Sequence, residues 1–366
     1  MKWALLLYIL VGLAVIAFLI LQLPVFGKSP SGERLKRIRQ SPNYRDGEFK
    51  NLSFTPQLTE GATMPKLIYQ MLGKKPDRLE PEAPIPSVKT DLHQLTDLSL
   101  VWFGHSSYIF KAANKIFVVD PVFSGNASPV PGIMKAFKGS DAYSVADLPE
   151  IDYLVISHDH YDHLDYPTIK KLVPKVKRVI CGLGVGEHLE RWGFDPAIIT
   201  ELDWWDSRLL SDGLQITATP ARHFSGRSLR PNQTLWCSYV LYAGDFRLFI
   251  GGDSGYDTHF REIGRKFGPF DVAILENGQY NIYWKYIHTL PDELPHVQHD
   301  LRAKAVLPVH SGKFPLARHP WDEPLELAVK HAAVRHDRLL TPKIGEIVHL
   351  NDTTQQFSEW WKTVKP

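Results

Sequence analysis

The chain has 366 residues, room for one large domain or two ordinary ones. Its 42 Lys and Arg against 40 Asp and Glu leave a net charge of +2, so no global positive field points to nucleic acid as a partner. The two cysteines, Cys181 and Cys237, form no CxxC pair, which argues against a disulfide framework and a cysteine-based zinc knuckle.

Residues 3–23 form an apolar run whose only polar groups are the Tyr8 hydroxyl and Gln22. As a helix rising about 1.5 Å per residue, it spans about 31 Å, the thickness of a bilayer core. The alternative is a cleaved signal peptide. The run is long for a signal core, only Lys2 precedes it, and Val25-Phe26-Gly27 makes a poor cleavage site, so a retained anchor is expected over residues 1–25. Lys28, Arg34, Lys36, Arg37, Arg39 and Arg45 follow it. By the positive-inside rule this basic cluster puts the bulk of the chain on the cytoplasmic side, and it can also meet anionic head groups.

Residues 26–95 read as a linker and lead-in rich in Pro, Ser and Gly. Residues 98–103 and 108–119 then read as strands, the second broken by a turn at 112–115. Further strands are expected at 153–156, 178–181, 215–219, 236–241, 246–250, 272–275 and 305–309. Helices are expected at 167–173, 257–267, 291–302 and 323–333. Strands alternating with helices indicate an α/β domain over 96–350, with strands in the core and helices outside. Residues 351–366 read as a C-terminal tail.

The chemistry concentrates after the apolar strand at 153–156, in Ser157-His158-Asp159-His160-Tyr161-Asp162-His163. Imidazole and carboxylate suit zinc and similar divalent metals, and a sharp loop lets side chains at this spacing converge. Three more ligand types end later strands: His223 in Pro220-Ala221-Arg222-His223, Asp253 in Gly251-Gly252-Asp253-Ser254-Gly255, and His310 in Pro308-Val309-His310. Each alone is more often a cap or a core residue. Together with the first motif they form an ordered set of seven. Gly182-Leu183-Gly184-Val185-Gly186 lacks the dinucleotide-loop register and reads as a strand-to-helix turn.

The chain resembles the metallo-β-lactamase fold superfamily, and within it the N-acylphosphatidylethanolamine-hydrolysing phospholipases D and their bacterial relatives. The likeness is carried by Trp102-Phe103-Gly104-His105-Ser106-Ser107, Asp120-Pro121-Val122-Phe123-Ser124, His160-Tyr161-Asp162-His163-Leu164-Asp165, Pro220-Ala221-Arg222-His223, Gly252-Asp253-Ser254-Gly255-Tyr256 and the stretch His288 to Pro291 before His310. It implies a four-layer αβ/βα sandwich, here preceded by a transmembrane helix. It also implies two zinc ions, one on His158, His160 and His223, the other on Asp162, His163 and His310, with Asp253 between them. Two such metals, about 3.5–4 Å apart, lower the pKa of a shared water and neutralise a phosphodiester. The implied reaction releases N-acylethanolamine and phosphatidic acid from a membrane phospholipid, with Asp162, Asp253, Asp120 and His288 as catalytic groups.

Asp120 is expected to act from behind an imidazole. His105 reads as a structural hydrogen-bonding residue and Tyr161 as a phosphate contact. Tyr280, Tyr283, Trp284 and Tyr286, with Trp204-Trp205, are candidates for an acyl groove, and Arg222, Arg227, Arg230 and Lys313 for head-group contacts. A homodimer is possible. The rival readings are a lactonase, thioesterase or nuclease on the same fold, and a non-catalytic membrane scaffold, which would have no need of all seven ligands.

Overall fold

The computed structural model describes residues 2–211 and 213–364. Helix α1 (Lys2–Leu21) contains a 19-residue stretch, Trp3–Leu21, that is not buried and is long and apolar enough to cross a membrane. Helix α2 (Gly32–Ile38), a small hairpin of β1 (Tyr44–Arg45) and β2 (Glu48–Phe49), and helix α3 (Met64–Leu72) follow.

The first half of the sandwich contains β3 (Ser99–Trp102), β4 (Tyr108–Ala112), β5 (Lys115–Val119), β6 (Ile151–Ile156), β7 (Val176–Gly182) and β8 (Ile199–Leu202), with α4 (Tyr166–Leu172) and α5 (Gly186–Arg191) between the later strands. The second contains β9 (Ser207–Ser211), β10 (Leu214–Thr219), β11 (Ser238–Ala243), β12 (Phe246–Ile250), β13 (Val272–Glu276), β14 (Ala305–Val309) and β15 (Arg338–Leu339), with α6 (His259–Phe267), α7 (Leu294–Leu301) and α8 (Glu323–Arg335). Strand β16 (Ile347–His349) returns to the first sheet. The sheets are seven-stranded, in the orders β16-β3-β4-β5-β6-β7-β8 and β15-β14-β13-β12-β11-β10-β9.

Strand alternation builds the layers. One face of the first sheet, with Leu100, Phe110, Phe117, Val119 and Val155, packs against Ile216, Leu241, Leu248, Ile274 and Leu307 of the second. The opposite faces take the helices. Val101, Ile109, Val118 and Leu154 lie under Ile169, Leu172 and Leu189, while Phe249, Ala273 and Val306 lie under Phe260, Ile263, Val297 and Ala328. This is a four-layer αβ/βα sandwich. Each of these large aliphatic or aromatic side chains contributes about 1.5–3 kcal/mol by burial.

Helix α7 starts three residues later than the sequence reading, with Pro295 in its first turn. Strand β16 has no clear sequence signal at three residues. The lead-in is packed against the sandwich: Ile38 and Phe49 are wholly buried, and Arg34 reaches Glu187, Glu190 and Glu201 at 2.8, 2.5 and 2.9 Å. The C-terminal segment is anchored as well, by buried Trp360 and Trp361.

The arrangement of the strands positions the site. β5 runs parallel to β6, and β12, β13 and β14 run parallel to one another. β3 and β10 each lie two antiparallel steps from β5 and β12, so they point the same way. The C-terminal ends of all these strands therefore open on one edge of the sandwich, where their loops meet.

Candidate metal centre

The seven side chains of the ordered set meet at that edge, buried or nearly so. The loop after β6 supplies His158, His160, Asp162 and His163. The loops after β10, β12 and β14 supply His223, Asp253 and His310. Gly252, at φ +60°, lets the chain turn here: a Cβ on it would stand 2.9 Å from the Cys237 carbonyl oxygen. His105, Asp120 and His310 also hold positive φ (53°, 41° and 66°), backbone strain gathered around one site.

The nitrogens face each other. His158 Nε2 lies 2.9 Å and His223 Nε2 3.2 Å from His160 Nδ1. Asp253 stands among the rest, with Oδ2 3.2 Å from His163 Nε2 and Oδ1 3.2 Å from His310 Nδ1. Asp162 Oδ2 is 3.6 Å from His163 Nε2.

Outer partners fix which nitrogens carry protons. His163 Nδ1–H donates to Asp120 Oδ2 at 2.8 Å, and His223 Nδ1–H donates to the Ile287 carbonyl at 2.7 Å. His158 Nδ1 meets Ser157 Oγ at 2.9 Å, and that hydroxyl donates to Asp120. The Nε2 atoms of His158, His163 and His223 are thus turned inward. His163 Nε2 and Asp253 Oδ1 are buried with no hydrogen bond at all. A buried imidazole nitrogen and a carboxylate oxygen without partners, among further inward-facing imidazoles, fit a divalent cation.

Burial, then repulsion from neighbouring imidazoles, holds His158 and His310 well below the ordinary histidine pKa, and burial does the same for His223, so all three are neutral donors. Burial opposes charge on His163, but Asp253, Asp162 and Asp120 outweigh it and raise its pKa well above the ordinary value. Burial also disfavours ionised Asp253, yet the imidazoles, His163 first, bring it down to about 2.

His288 lines the same cavity, its Nδ1–H donating to Glu276 Oε2 at 2.6 Å. Glu276 accepts also from the amides of Ser254 and Thr289. Burial pushes the Glu276 carboxyl up, and the Glu276 carboxylate overcomes the burial penalty on His288 to push the imidazole up. Sequence reasoning missed Glu276, although it ends an apolar strand as the other site residues do. His105 is a hydrogen-bonding residue, its Nε2–H donating to Asp162 Oδ2 at 2.9 Å.

Other expectations are corrected. Tyr161 gives its hydroxyl to the Arg227 carbonyl at 2.6 Å, not to the cavity. Arg227 and Lys313 are buried, and Lys313 Nζ is held by the Val122 carbonyl and Asp141. Neither is free to meet a head group. Arg222 lies over the Tyr286 ring and is bonded to Thr55. Trp204 is in the core and Trp205 stacks on Phe267, away from the cavity, while Tyr280 donates to Glu323. Of the expected aromatic lining, Trp284 lies on the cavity wall.

That cavity, about 330 Å³, is lined by His160, Asp162, Asp253, His288 and His310 together with Leu58, Met64, Phe224, Trp284, Ile287 and Leu316. A second hollow of about 330 Å³ shares Met64, Trp284 and Leu316 with it and continues along Leu67, Ile68, Leu79, Ile133 and Met134. A larger, more open hollow, about 660 Å³, lies further out by Tyr69 and Ile282 and touches none of the clustered His and Asp.

A sequence profile of the Beta-lactamase superfamily domain matches residues 116–311. An uncharacterized protein of Mycobacterium tuberculosis is 38% identical over 331 residues, covering 88% of each chain. N-acyl-phosphatidylethanolamine-hydrolyzing phospholipase D 1 of Caenorhabditis elegans is 30% identical over 298 residues, 75% of this chain and 82% of its own. Among solved structures, Igni18, a metallo hydrolase from Ignicoccus hospitalis, superposes with a TM-score of 0.54 at 21% identity, over 69% of this chain and 98% of its own, which speaks to the fold. With this sandwich and this cluster of His and Asp at its strand ends, the chain belongs to the metal-dependent hydrolases of the metallo-β-lactamase superfamily and is related to the N-acylphosphatidylethanolamine-hydrolysing phospholipases D.

Proposed function

We propose that this protein is a membrane-anchored, di-zinc phosphodiesterase of the phospholipase D type, cleaving N-acylphosphatidylethanolamine to N-acylethanolamine and phosphatidic acid. The observation that carries the reading is the union of two surfaces: a cavity lined by the His/Asp cluster shares Met64, Trp284 and Leu316 with a mostly apolar hollow of about 330 Å³, whose lining suits an acyl chain. The phospholipase named among the relatives supports the substrate class. The apolar helix α1 supports retention at a membrane, and the basic residues after it support a cytoplasmic catalytic domain.

In this reading His158, His160 and His223 hold one zinc, Asp162, His163 and His310 the other, and Asp253 serves both. When bound, such a pair supplies Lewis acidity and a water ionised near neutral pH. The chain's own groups do the rest. Asp120, through His163 and Ser157, keeps the imidazoles in the tautomer that presents Nε2 inward. With Nδ1 committed to Glu276, Nε2 of His288 is the nitrogen available to the substrate, and it holds a proton for the departing alkoxide. The apolar wall of Leu58, Met64, Trp284 and Leu316 orients the lipid and limits the entry of water.

The test is product analysis by mass spectrometry on purified full-length protein and its Asp253→Asn variant, each with N-acylphosphatidylethanolamine in mixed micelles and with bound zinc assayed in parallel. Both products from the wild type and neither from the variant support the reading. Zinc retained by a wild type that leaves the lipid intact sinks the phospholipase assignment and turns attention to lactones and simple phosphodiesters.

A further inference from the structure

The segment after α1 is built into the back of the histidine loop. Three of its backbone carbonyls are caught by the catalytic domain: Gln22 by Arg191 Nη2 at 2.5 Å, Pro24 by Trp192 Nε1 at 2.8 Å and Val25 by Arg227 Nε at 2.9 Å. The Lys28 amide donates to His188 Nδ1 at 2.9 Å, and the Phe26 ring stands edge-on to Tyr161 with centroids 6.4 Å apart. Gly27 is needed for this fit. It sits at φ +65°, and a Cβ there would fall 2.1 Å from His188 Nδ1.

The contacts at Pro24, Val25, Phe26 and Lys28 lead to the loop that carries His158, His160 and Asp162. The Arg227 guanidinium, buried between the rings of Tyr161 (4.4 Å) and Trp192 (4.9 Å), also donates from Nη1 to the Asp159 carbonyl at 2.6 Å. One planar fork thus ties Val25 of the tether to Asp159 of the loop. His188, with Nδ1 occupied by the Lys28 amide, turns Nε2–H to the Asp159 carboxylate at 3.3 Å, and the Gly226 amide completes that carboxylate at 2.9 Å. Asp159 stands between His158 and His160 in sequence, so its backbone cannot move without moving both imidazoles.

We infer that Arg227 is a positioning residue, and that residues 22–28, through Arg227 and His188, lock the histidine loop in the geometry that holds metal, so that the membrane tether is itself part of the site's framework. The inference rests on reading the cluster as a metal centre. Outer contacts that orient ligands are worth about 10–100-fold in metal affinity.

The experiment uses the full chain in detergent, loaded with zinc, and follows zinc release into a colorimetric chelator. It also compares melting temperatures with and without zinc. Arg227→Ala and Gly27→Ala should each release zinc about ten times faster or more, and the rise in melting temperature on adding zinc should shrink. Arg227→Lys, which keeps the charge but not the fork, should fall between. Leu229→Ala, at an exposed position on the same loop, should match the wild type. Should the substitutions at 227 or 27 prevent folding, Phe26→Ala, which removes only the edge contact to Tyr161, takes their place with the same expected direction.

Release rates equal to wild type, or a loss of melting temperature that is the same with and without zinc, overturn the positioning role and leave the metal centre standing. A wild type that retains no divalent metal overturns the metal-centre reading itself.

Discussion

Asp120 and Asp253 grip His163 from opposite nitrogens: Nδ1–H donates to Asp120 Oδ2 at 2.8 Å, while Nε2 lies 3.2 Å from Asp253 Oδ2. One carboxylate holds the Nδ1 proton, and the other stands beside the nitrogen turned toward the cluster. Asp120 also accepts from the amide and hydroxyl of Ser157, and so braces the start of the whole histidine loop. Replacement by asparagine removes the charge behind His163 and offers a donor where the ring needs an acceptor. Asp120→Asn should weaken zinc binding about 10–100-fold, read by chelator competition. Unchanged affinity would reduce Asp120 to a turn former before Pro121.

Glu276 and His288 form a second coupled pair. Glu276→Gln replaces the carboxylate that accepts from His288 Nδ1 and from two backbone amides. The group that raises the His288 pKa is then gone, so the imidazole pKa falls and its proton is lost at lower pH. Turnover should drop about 10²-fold, in the range of a lost general acid, with zinc content retained. Loss of zinc along with turnover would show that the pair supports the cluster instead.

Acid should destabilise the fold through His259. Its ring is buried, with Nε2 3.1 Å from Ser254 Oγ, and burial holds its pKa down at about 3. The unfolded chain takes up a proton near the ordinary value of about 6.5, while the folded chain does not until about 3. Stability from this group is therefore complete above the unfolded value and falls as pH drops between the two. Between pH 7.5 and 5.5 the loss is about 1.4 kcal/mol. Thermal melting across this range should show a smaller drop for His259→Gln than for the wild type, and parallel curves would reject the assignment.

Leu316 bridges the metal-side cavity and the apolar hollow beyond it. Leu316→Arg should raise KM for long-chain lipid about tenfold or more, since a charged head in an apolar channel must be desolvated, and should leave turnover of a short-chain phosphodiester nearly unchanged. Equal effects on both would place the lipid elsewhere.

What the sequence determined by itself was local. Strand alternation over 108–119 and the apolar strand before Ser157 arise from backbone geometry and burial, and both appear as β4, β5 and β6. The short-range spacing of His158, His160, Asp162 and His163 placed four site residues on one loop, and His223, Asp253 and His310 could be picked out because each ends an apolar strand. The contacts between distant segments were decided only in three dimensions. Nothing near Glu276 in sequence names His288 as its partner, twelve residues on. Arg227 and Lys313 look like surface cations in the chain, yet carbonyls, aromatic faces and Asp141 brought from remote segments let them be buried. Residues 26–95 lack periodicity because they form little regular structure of their own, and they are ordered by ion pairs and packing against a sandwich that must already exist. Short-range pattern records what a segment does alone. Which carboxylate stands behind which imidazole depends on the edge where the parallel strands all end.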